Sequence, residues 1–232
     1  MHARTTGELS AVADRCNRDL WALARIGVLA LAACGTGPAL AEDAGAGIVA
    51  NGTPGGVPAC ASCHGEHGEG NADAGFPRLA GLAAPYLRGQ LAAFASGQRD
   101  SPVMTPIAKM LSADETYSVS AYFSGLSDPV RSTQTPTAEM PGARLATEGR
   151  WADGIPGCFS CHGPGGIGVG AAFPPLAGQP ASYIIGQLQT WQAGKRPPGP
   201  LGLMGAITRR LTSADISALT EWFATSLGGG GK

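Results

Sequence analysis

Aromatic side chains are scarce: 4 Trp, 4 Tyr and 6 Phe make up 6% of the 232 residues. A large core filled by rings is excluded, so a stable fold needs apolar bulk from another source. Charge is sparse at 14%, and 16 Lys and Arg against 17 Asp and Glu leave a net charge of −1. With no basic stripe, nucleic acid is excluded as a partner. There is also no strong field of one sign to steer a partner from afar. No apolar run reaches the roughly 18 residues that a bilayer span requires. Of six Cys, Cys16 and Cys34 fall near the N-terminus and the other four form two C-x-x-C pairs. Once the N-terminal segment is removed, no thiol is left for a structural disulfide or a nucleophile. No alternating strand pattern occurs. What abounds is Gly (36) and Pro (18), which predicts short helices and much loop.

The chain is organised around Cys60-Ala61-Ser62-Cys63-His64, which returns 98 residues later as Cys158-Phe159-Ser160-Cys161-His162. C-x-x-C-H is the attachment signature of a c-type haem. Two thiols one helical turn apart meet the two vinyl groups of the porphyrin, and the next residue supplies a proximal imidazole. Other features repeat as well. Phe76-Pro77-Arg78-Leu79-Ala80-Gly81 matches Phe173-Pro174-Pro175-Leu176-Ala177-Gly178. Tyr86, Gly89, Gln90 and Leu91 match Tyr183, Gly186, Gln187 and Leu188. Gly97-Gln98-Arg99 matches Gly194-Lys195-Arg196, and Tyr122-Phe123 matches Trp222-Phe223. The expected organisation is a first unit at 42–127, a linker at 128–142, a second unit at 143–228 and a flexible tail at 229–232.

Residues 1–41 read as a secretory signal: Arg4, Arg15, Arg18 and Arg25, an apolar run Ile26 to Cys34, then Ala39-Leu40-Ala41. Leu31-Ala32-Ala33-Cys34 also fits a lipobox with Cys34 acylated. Cleavage after Ala41 is favoured, because Glu42-Asp43 follows at once. Either ending takes the chain across the membrane, where c-type haems are attached. The periplasm is thus the expected location, with the protein soluble or held at the membrane surface.

Local structure reads as helix throughout. Pro85 and Pro180 suit first helical turns, giving helices near 84–97 and 180–194 that stop at Gly97 and Gly194. Ser112-x-x-Glu115 and Thr212-x-x-Asp215 are capping-box patterns. Behind them, Val119, Tyr122, Phe123 and Leu126, and Leu219, Trp222, Phe223 and Leu227, form apolar helix faces.

The second iron ligand decides carrier against catalyst. After signal removal three His remain: His64 and His162 are proximal, and His67 follows His64 too closely to reach the far side of the same haem. The repeat pairs Met104 with Met204 and Met110 with Arg210. Met104 and Met204, 40 and 42 residues beyond their His, are therefore the expected axial ligands, on loops before the terminal helices. Met110 reads as core filling and Met140 as incidental. Metal-bound His usually donates its other N–H to a carbonyl, and Pro77 and Pro174 are placed to accept.

Together these motifs resemble the dihaem cytochrome c4 family, over 42–228, with the cytochrome subunit of flavocytochrome c sulfide dehydrogenase as a close relative of the pattern. The resemblance implies an all-α fold of two tandem class I cytochrome c domains related by a pseudo-two-fold axis. It implies two covalent haem c groups on Cys60, Cys63, Cys158 and Cys161, with His64/Met104 and His162/Met204 as axial pairs. It also implies periplasmic electron transfer to a terminal oxidase or other acceptor, with redox proteins, membrane complexes among them, as partners. Two departures stand out: Gly81-Leu82, where the family has Gly-Gln, as at Gly178-Gln179, and the Pro197-Pro198-Gly199-Pro200 run before Met204.

Three functions follow from these motifs as candidates. A free electron carrier fits iron closed on both faces. An electron-accepting subunit of an enzyme complex would carry the same haem sites. A haem enzyme would want an open or His-ligated iron, or a Cys ligand, and the mature chain supplies neither. A four-Cys zinc site needs a shorter gap between the pairs, and a thioredoxin-like pair needs a βαβ context.

Overall fold

The computed structural model describes residues 38–127 and 140–226. Most of the expected leader, with Cys16 and Cys34, most of the linker and the tail lie outside the described residues. The described residues fold as two helical lobes in one compact unit. In the first lobe, α1 (Pro38–Asn51) crosses α5 (Ala113–Gly125), with α2 (Ala61–His64), α3 (Ala84–Ala95) and α4 (Met104–Met110) between them in sequence. The second lobe repeats the order with α6 (Pro141–Thr147), α7 (Phe159–His162), α8 (Ala181–Gln192), α9 (Leu203–Thr208) and α10 (Ser213–Ser226). Its first helix begins at Pro141, two residues before the expected start of that unit.

The expected caps explain where α5 and α10 begin. Ser112 Oγ accepts from Glu115 N–H (3.2 Å), while Glu115 Oε2 accepts from Ser112 N–H (2.8 Å). Thr212 and Asp215 make the same reciprocal pair at 3.1 and 2.8 Å. Two donors that a helix start leaves unsatisfied are met each time. The α3 and α8 helices end just short of Gly97 and Gly194, whose φ of 75° and 69° carry the chain out of the helix at no Cβ cost.

The core lies where the terminal helices meet the rest of each lobe. Val49, Leu82, Leu87, Val119 and Phe123 form it in the first lobe. Trp222, Phe223, Leu219, Ile155 and Ile184 are among its members in the second, with Trp222 fully buried. Tyr122 packs edge-on to Phe123, and Trp222 against Phe223 and Phe159, with centroids 5.1–5.6 Å apart. Met140, read as incidental, packs against the second core.

One element was not expected. A two-stranded ribbon pairs β1 (Gly149–Arg150) antiparallel to β2 (Ile155–Pro156), with Gly149 opposite Pro156 and Arg150 opposite Ile155. Two-residue strands are too short to leave an alternating pattern. The ribbon lets Arg150 reach Asp215 at the start of α10, with paired contacts of 2.8 and 2.9 Å. Hydrogen bonds from Arg150 hold the Asp215 carboxyl well below the usual carboxylate range; burial opposes this and the Thr212 N–H adds to it. A depressed carboxylate stabilises the fold above its unfolded pKa of about 3.9 and loses that contribution as pH falls toward the folded value. Asp215→Asn is therefore expected to cost about 1–2 kcal/mol at neutral pH and to flatten the fall in stability below about pH 4. Urea unfolding at pH 7 and pH 3 checks both; a wild-type pH slope in the variant would contradict it.

The lobes meet along a seam of long-range hydrogen bonds. Gln179, 5% exposed, accepts from Arg78 N–H at 3.1 Å and donates to Arg78 C=O at 2.9 Å. The Arg78 side chain, 1% exposed, donates to Ala177 C=O at 2.8 Å. Ser182 Oγ donates to Ala72 C=O at 2.7 Å.

Candidate haem sites

Each C-x-x-C-H motif makes a single helical turn. His64 N–H bonds Cys60 C=O at 3.0 Å, and His162 N–H bonds Cys158 C=O at 2.9 Å. The turn puts both thiols of a pair on one side and swings the following imidazole inward, to 6% and 7% exposure. His64 Nδ1 lies 2.9 Å from Pro77 O, and His162 Nδ1 lies 2.7 Å from Pro174 O. Burial lowers both imidazole pKa values, against a smaller opposing effect of the proline carbonyls. A neutral ring with its proton on Nδ1 donates to the carbonyl and keeps the Nε2 lone pair for a metal. Before a haem is attached, burial raises the thiol pKa of Cys60, and that of Cys158 to about 11.

One continuous cavity of about 530 Å³ is lined by both Cys pairs, His64, His162, Met104 and Met204. The rest of its wall is largely aliphatic and aromatic, with Leu87, Phe94, Phe123, Ile184, Leu188 and Phe223 contributing. Neutral imidazole, thioether, paired thiols and an apolar wall are the donor set and surroundings that a covalently held haem requires. Among the described residues, no three or more His, Cys, Asp and Glu gather into another cation site.

The structure corrects three details of the Met reading. Met104 is the first residue of α4 and Met204 the second of α9; they are not on loops. In the first lobe, Ser101 Oγ accepts from Met104 N–H at 3.1 Å, starting the turn, and Pro106 tolerates an early helical position. Met110, expected to fill the core, is 45% exposed and lies outside the cavity lining. It ends α4 on the side away from the core, and its counterpart Arg210, in the turn after α9, is exposed as well. The Pro-Gly run before Met204 forms a turn with Leu201 96% exposed at φ 54°. His67 is on the surface.

Sequence reasoning passed over Tyr86, Gln90 and Arg99 and their counterparts Tyr183, Gln187 and Arg196, all of which line the cavity. Their recurrence in both halves was the available signal.

The cytochrome c family model matches residues 43–127 and 139–226. A thiosulfate dehydrogenase electron acceptor of Stutzerimonas stutzeri is 48% identical over 168 residues, covering 72% of this chain and 78% of that protein. Cytochrome c4 of Pseudomonas aeruginosa is 34% identical, over 70% of this chain and 81% of its own length. Among solved structures, thiosulfate dehydrogenase (TsdBA) from Marichromatium purpuratum superposes with a TM-score of 0.71 at 42% identity. That match covers 79% of this chain but 40% of the solved one. Reduced cytochrome c4 from Pseudomonas stutzeri gives a TM-score of 0.66 at 32% identity, over 80% of this chain and 98% of the other. Two lobes, each built around its own attachment turn and proline-braced imidazole, thus place this chain in the cytochrome c family, as a dihaem electron carrier of the cytochrome c4 type with two covalently attached haem c groups.

Proposed function

We propose that this protein is the periplasmic electron acceptor of a thiosulfate-oxidising dehydrogenase and passes its electrons to a further redox partner. The carrying observation is the shared cavity, where a His and a Met from each lobe meet one continuous space and no described Cys lies outside the attachment motifs. His64 with Met104, and His162 with Met204, are the proposed axial pairs. Such pairs close both faces of the iron, leave no open site for substrate and raise its potential. Haem supplies the one-electron chemistry. The chain's part is to brace His64 and His162 through Pro77 and Pro174, present the Met sulfurs and exclude water with the apolar wall.

The donor is proposed from the relatives. Those described as thiosulfate dehydrogenase electron acceptors reach 46–48% identity, against 31–34% for those described as cytochrome c4 or c-552. Joining two thiosulfates through a new S–S bond releases two electrons, and two one-electron centres on one chain hold both. The comparison supports the reading as an enzyme's electron-accepting partner alongside that as a carrier, with a thiosulfate-oxidising donor in place of the flavoprotein of the alternative reading. The periplasmic placement rests on the expected leader and on haem attachment. Among the described residues, no helix is long and apolar enough to cross a membrane, and Cys34 acylation would hold the protein at the membrane surface.

Mixing the oxidised holoprotein with thiosulfate and a catalytic amount of purified thiosulfate dehydrogenase should reduce both haems, two electrons per chain. No reduction, with cytochrome c4 of Pseudomonas aeruginosa reduced under the same conditions, would sink the donor assignment. The axial ligands have a separate check. Met104→Ala should abolish the weak near-infrared sulfur-to-iron band of one haem, whereas Met110→Ala keeps both. The reverse pattern would reject the ligand assignment.

A further inference from the structure

The Pro-Gly run before Met204 sets the second lobe apart in conformation as well as in composition. Gly202 N–H donates to Gly199 C=O at 3.0 Å and closes a turn. Within it, Leu201 is the one non-glycine residue with positive φ among the described residues (φ 54°, ψ 17°). A Cβ is strained in that left-handed region. Leu201 is also 96% exposed, so nothing in the lobe holds its side chain. Glycine or asparagine would avoid both penalties. Val103, which precedes Met104 in the first lobe, has an ordinary φ of −92° and is 44% exposed. Strained backbone is retained where function uses it, and for Leu201 only a contact outside the molecule can do so. Pro197, Gly199, Pro200, Leu203 and Met204 around it line the cavity. A protein resting on Leu201 is therefore separated from the second haem site by the width of one turn of chain.

Charge around the turn differs between the lobes in the same way. Residues 193–212 hold Lys195, Arg196, Arg209 and Arg210 and no carboxylate. Arg196 faces inward, where it and Arg99 both donate to the side-chain oxygens of Gln90 and Gln187 across the seam. Lys195, Arg209 and Arg210 are exposed, and among the described residues none of them forms an ion pair. Arg209 lays Nη1 against Gly205, 3.4 Å from where a Cβ would stand, and Gly205 N–H donates to Pro198 C=O at 3.1 Å. Its guanidinium thus stands at the foot of the turn. Arg210 Nη1 donates to Ala206 C=O at 2.7 Å. The matching positions of the first lobe are Gln98, Lys109 and Met110, and exposed Asp100 offsets Lys109. A net charge of −1 gives no field at a distance. Discrimination between partners then falls to a local patch, effective over roughly 10 Å at 0.1 M salt.

We propose that this face of the second lobe is the docking surface for a redox protein whose own contact face carries carboxylates around an apolar centre. Leu201 is the anchor, and Lys195, Arg209 and Arg210 form the rim. The complementary charges align the partner, and the apolar contact brings it against the turn that covers the second haem site. The inference rests on the electron-carrier reading and not on the identity of the donor.

The test is stopped-flow reduction of the oxidised holoprotein by ferrous cytochrome b5, an acidic redox protein standing in for the partner. The wild-type rate should fall as ionic strength rises; a level or rising rate would overturn the proposal. K109Q and R209Q each remove one charge at matching positions of the two lobes. At low ionic strength R209Q should slow the reaction about threefold and R209Q/R210Q about tenfold, while K109Q keeps the wild-type rate. Equal slowing by K109Q and R209Q would place docking elsewhere and overturn the proposal. L201N relieves the strain and removes the apolar anchor. It should unfold at or above the wild-type midpoint, yet react about threefold more slowly at low and high salt alike. An unchanged rate in L201N would likewise count against the proposal. Neutral hydroquinone is too small to dock and should reduce every variant at the wild-type rate. A parallel fall with hydroquinone would show that the haem and not the docking had changed, which also overturns the proposal. Cytochrome b5 takes no part in thiosulfate oxidation, so a mistaken donor leaves these outcomes intact. A wild type that hydroquinone cannot reduce would fail the carrier reading itself.

Discussion

Gly45→Ala should lower the unfolding free energy of the holoprotein by about 2–3 kcal/mol, while Gly47→Ala on the same helix leaves it unchanged or raises it by up to ~1 kcal/mol. The residue change is the same in both; the surroundings differ. A Cβ on Gly45 would sit 2.3 Å from Ser118 O and 2.7 Å from Tyr122 Cβ, where α1 crosses α5. Those are main-chain and Cβ atoms, so no rotamer change relieves the clash and the helices must separate. A Cβ on Gly47 would meet nothing within 4 Å, so only the helix-propensity gain of Ala over Gly remains. The second lobe offers a replicate, because a Cβ on Gly142 would lie 2.1 Å from Ala218 O and 2.7 Å from Trp222 Cβ. The crossing also bears on function: α5 places Val119, Ser120 and Phe123, and α10 places Leu219 and Phe223, on the cavity wall. Denaturant midpoints of the three Ala variants, read by the haem absorbance, decide the matter. Equal effects at Gly45 and Gly47 would show that the crossing is not tight.

What was legible in the sequence follows from how local each constraint is. Haem attachment fixes Cys60, Cys63 and His64 within five positions, so the motif is visible before any fold is known. The caps at Ser112 and Thr212 and the stops at Gly97 and Gly194 are equally local. The repeat then carried the reading further, since a feature present in both halves needs a common reason. It failed where interactions depend on how the lobes meet. Arg99 and Tyr183 are 84 residues apart, and Arg78 and Gln179 are 101. No helical or strand period links such pairs. The ribbon at Gly149–Pro156 was missed because two-residue strands have no period to read. Met110 was misplaced because its type suggested packing, whereas its position at the end of α4 leaves it facing solvent.

Gln179→Leu should cost about 2–4 kcal/mol through two buried hydrogen bonds lost at once, and it should loosen the lobes more than it harms either core. The departure at Gly81-Leu82 makes the case specific. Leu82, at the equivalent position, is 3% exposed and packs in the first-lobe core, so a leucine there is compatible with the lobe fold. Gln179 is just as buried, but its amide bonds both the N–H and the C=O of Arg78 in the other lobe, in the manner of a strand partner. A leucine of similar size fills the space and supplies neither bond. The expected signature is a single thermal transition that splits into two, with a larger radius of gyration by X-ray scattering, as inter-domain contacts give way before the domains do. Gln179→Glu separates the two bonds: a carboxylate still accepts from Arg78 N–H but, when ionised, cannot donate to Arg78 C=O, so its loss should be intermediate. If Gln179→Leu unfolds in one transition at the wild-type midpoint, the lobes are held by the Arg99–Arg196 cluster and the remaining seam contacts alone.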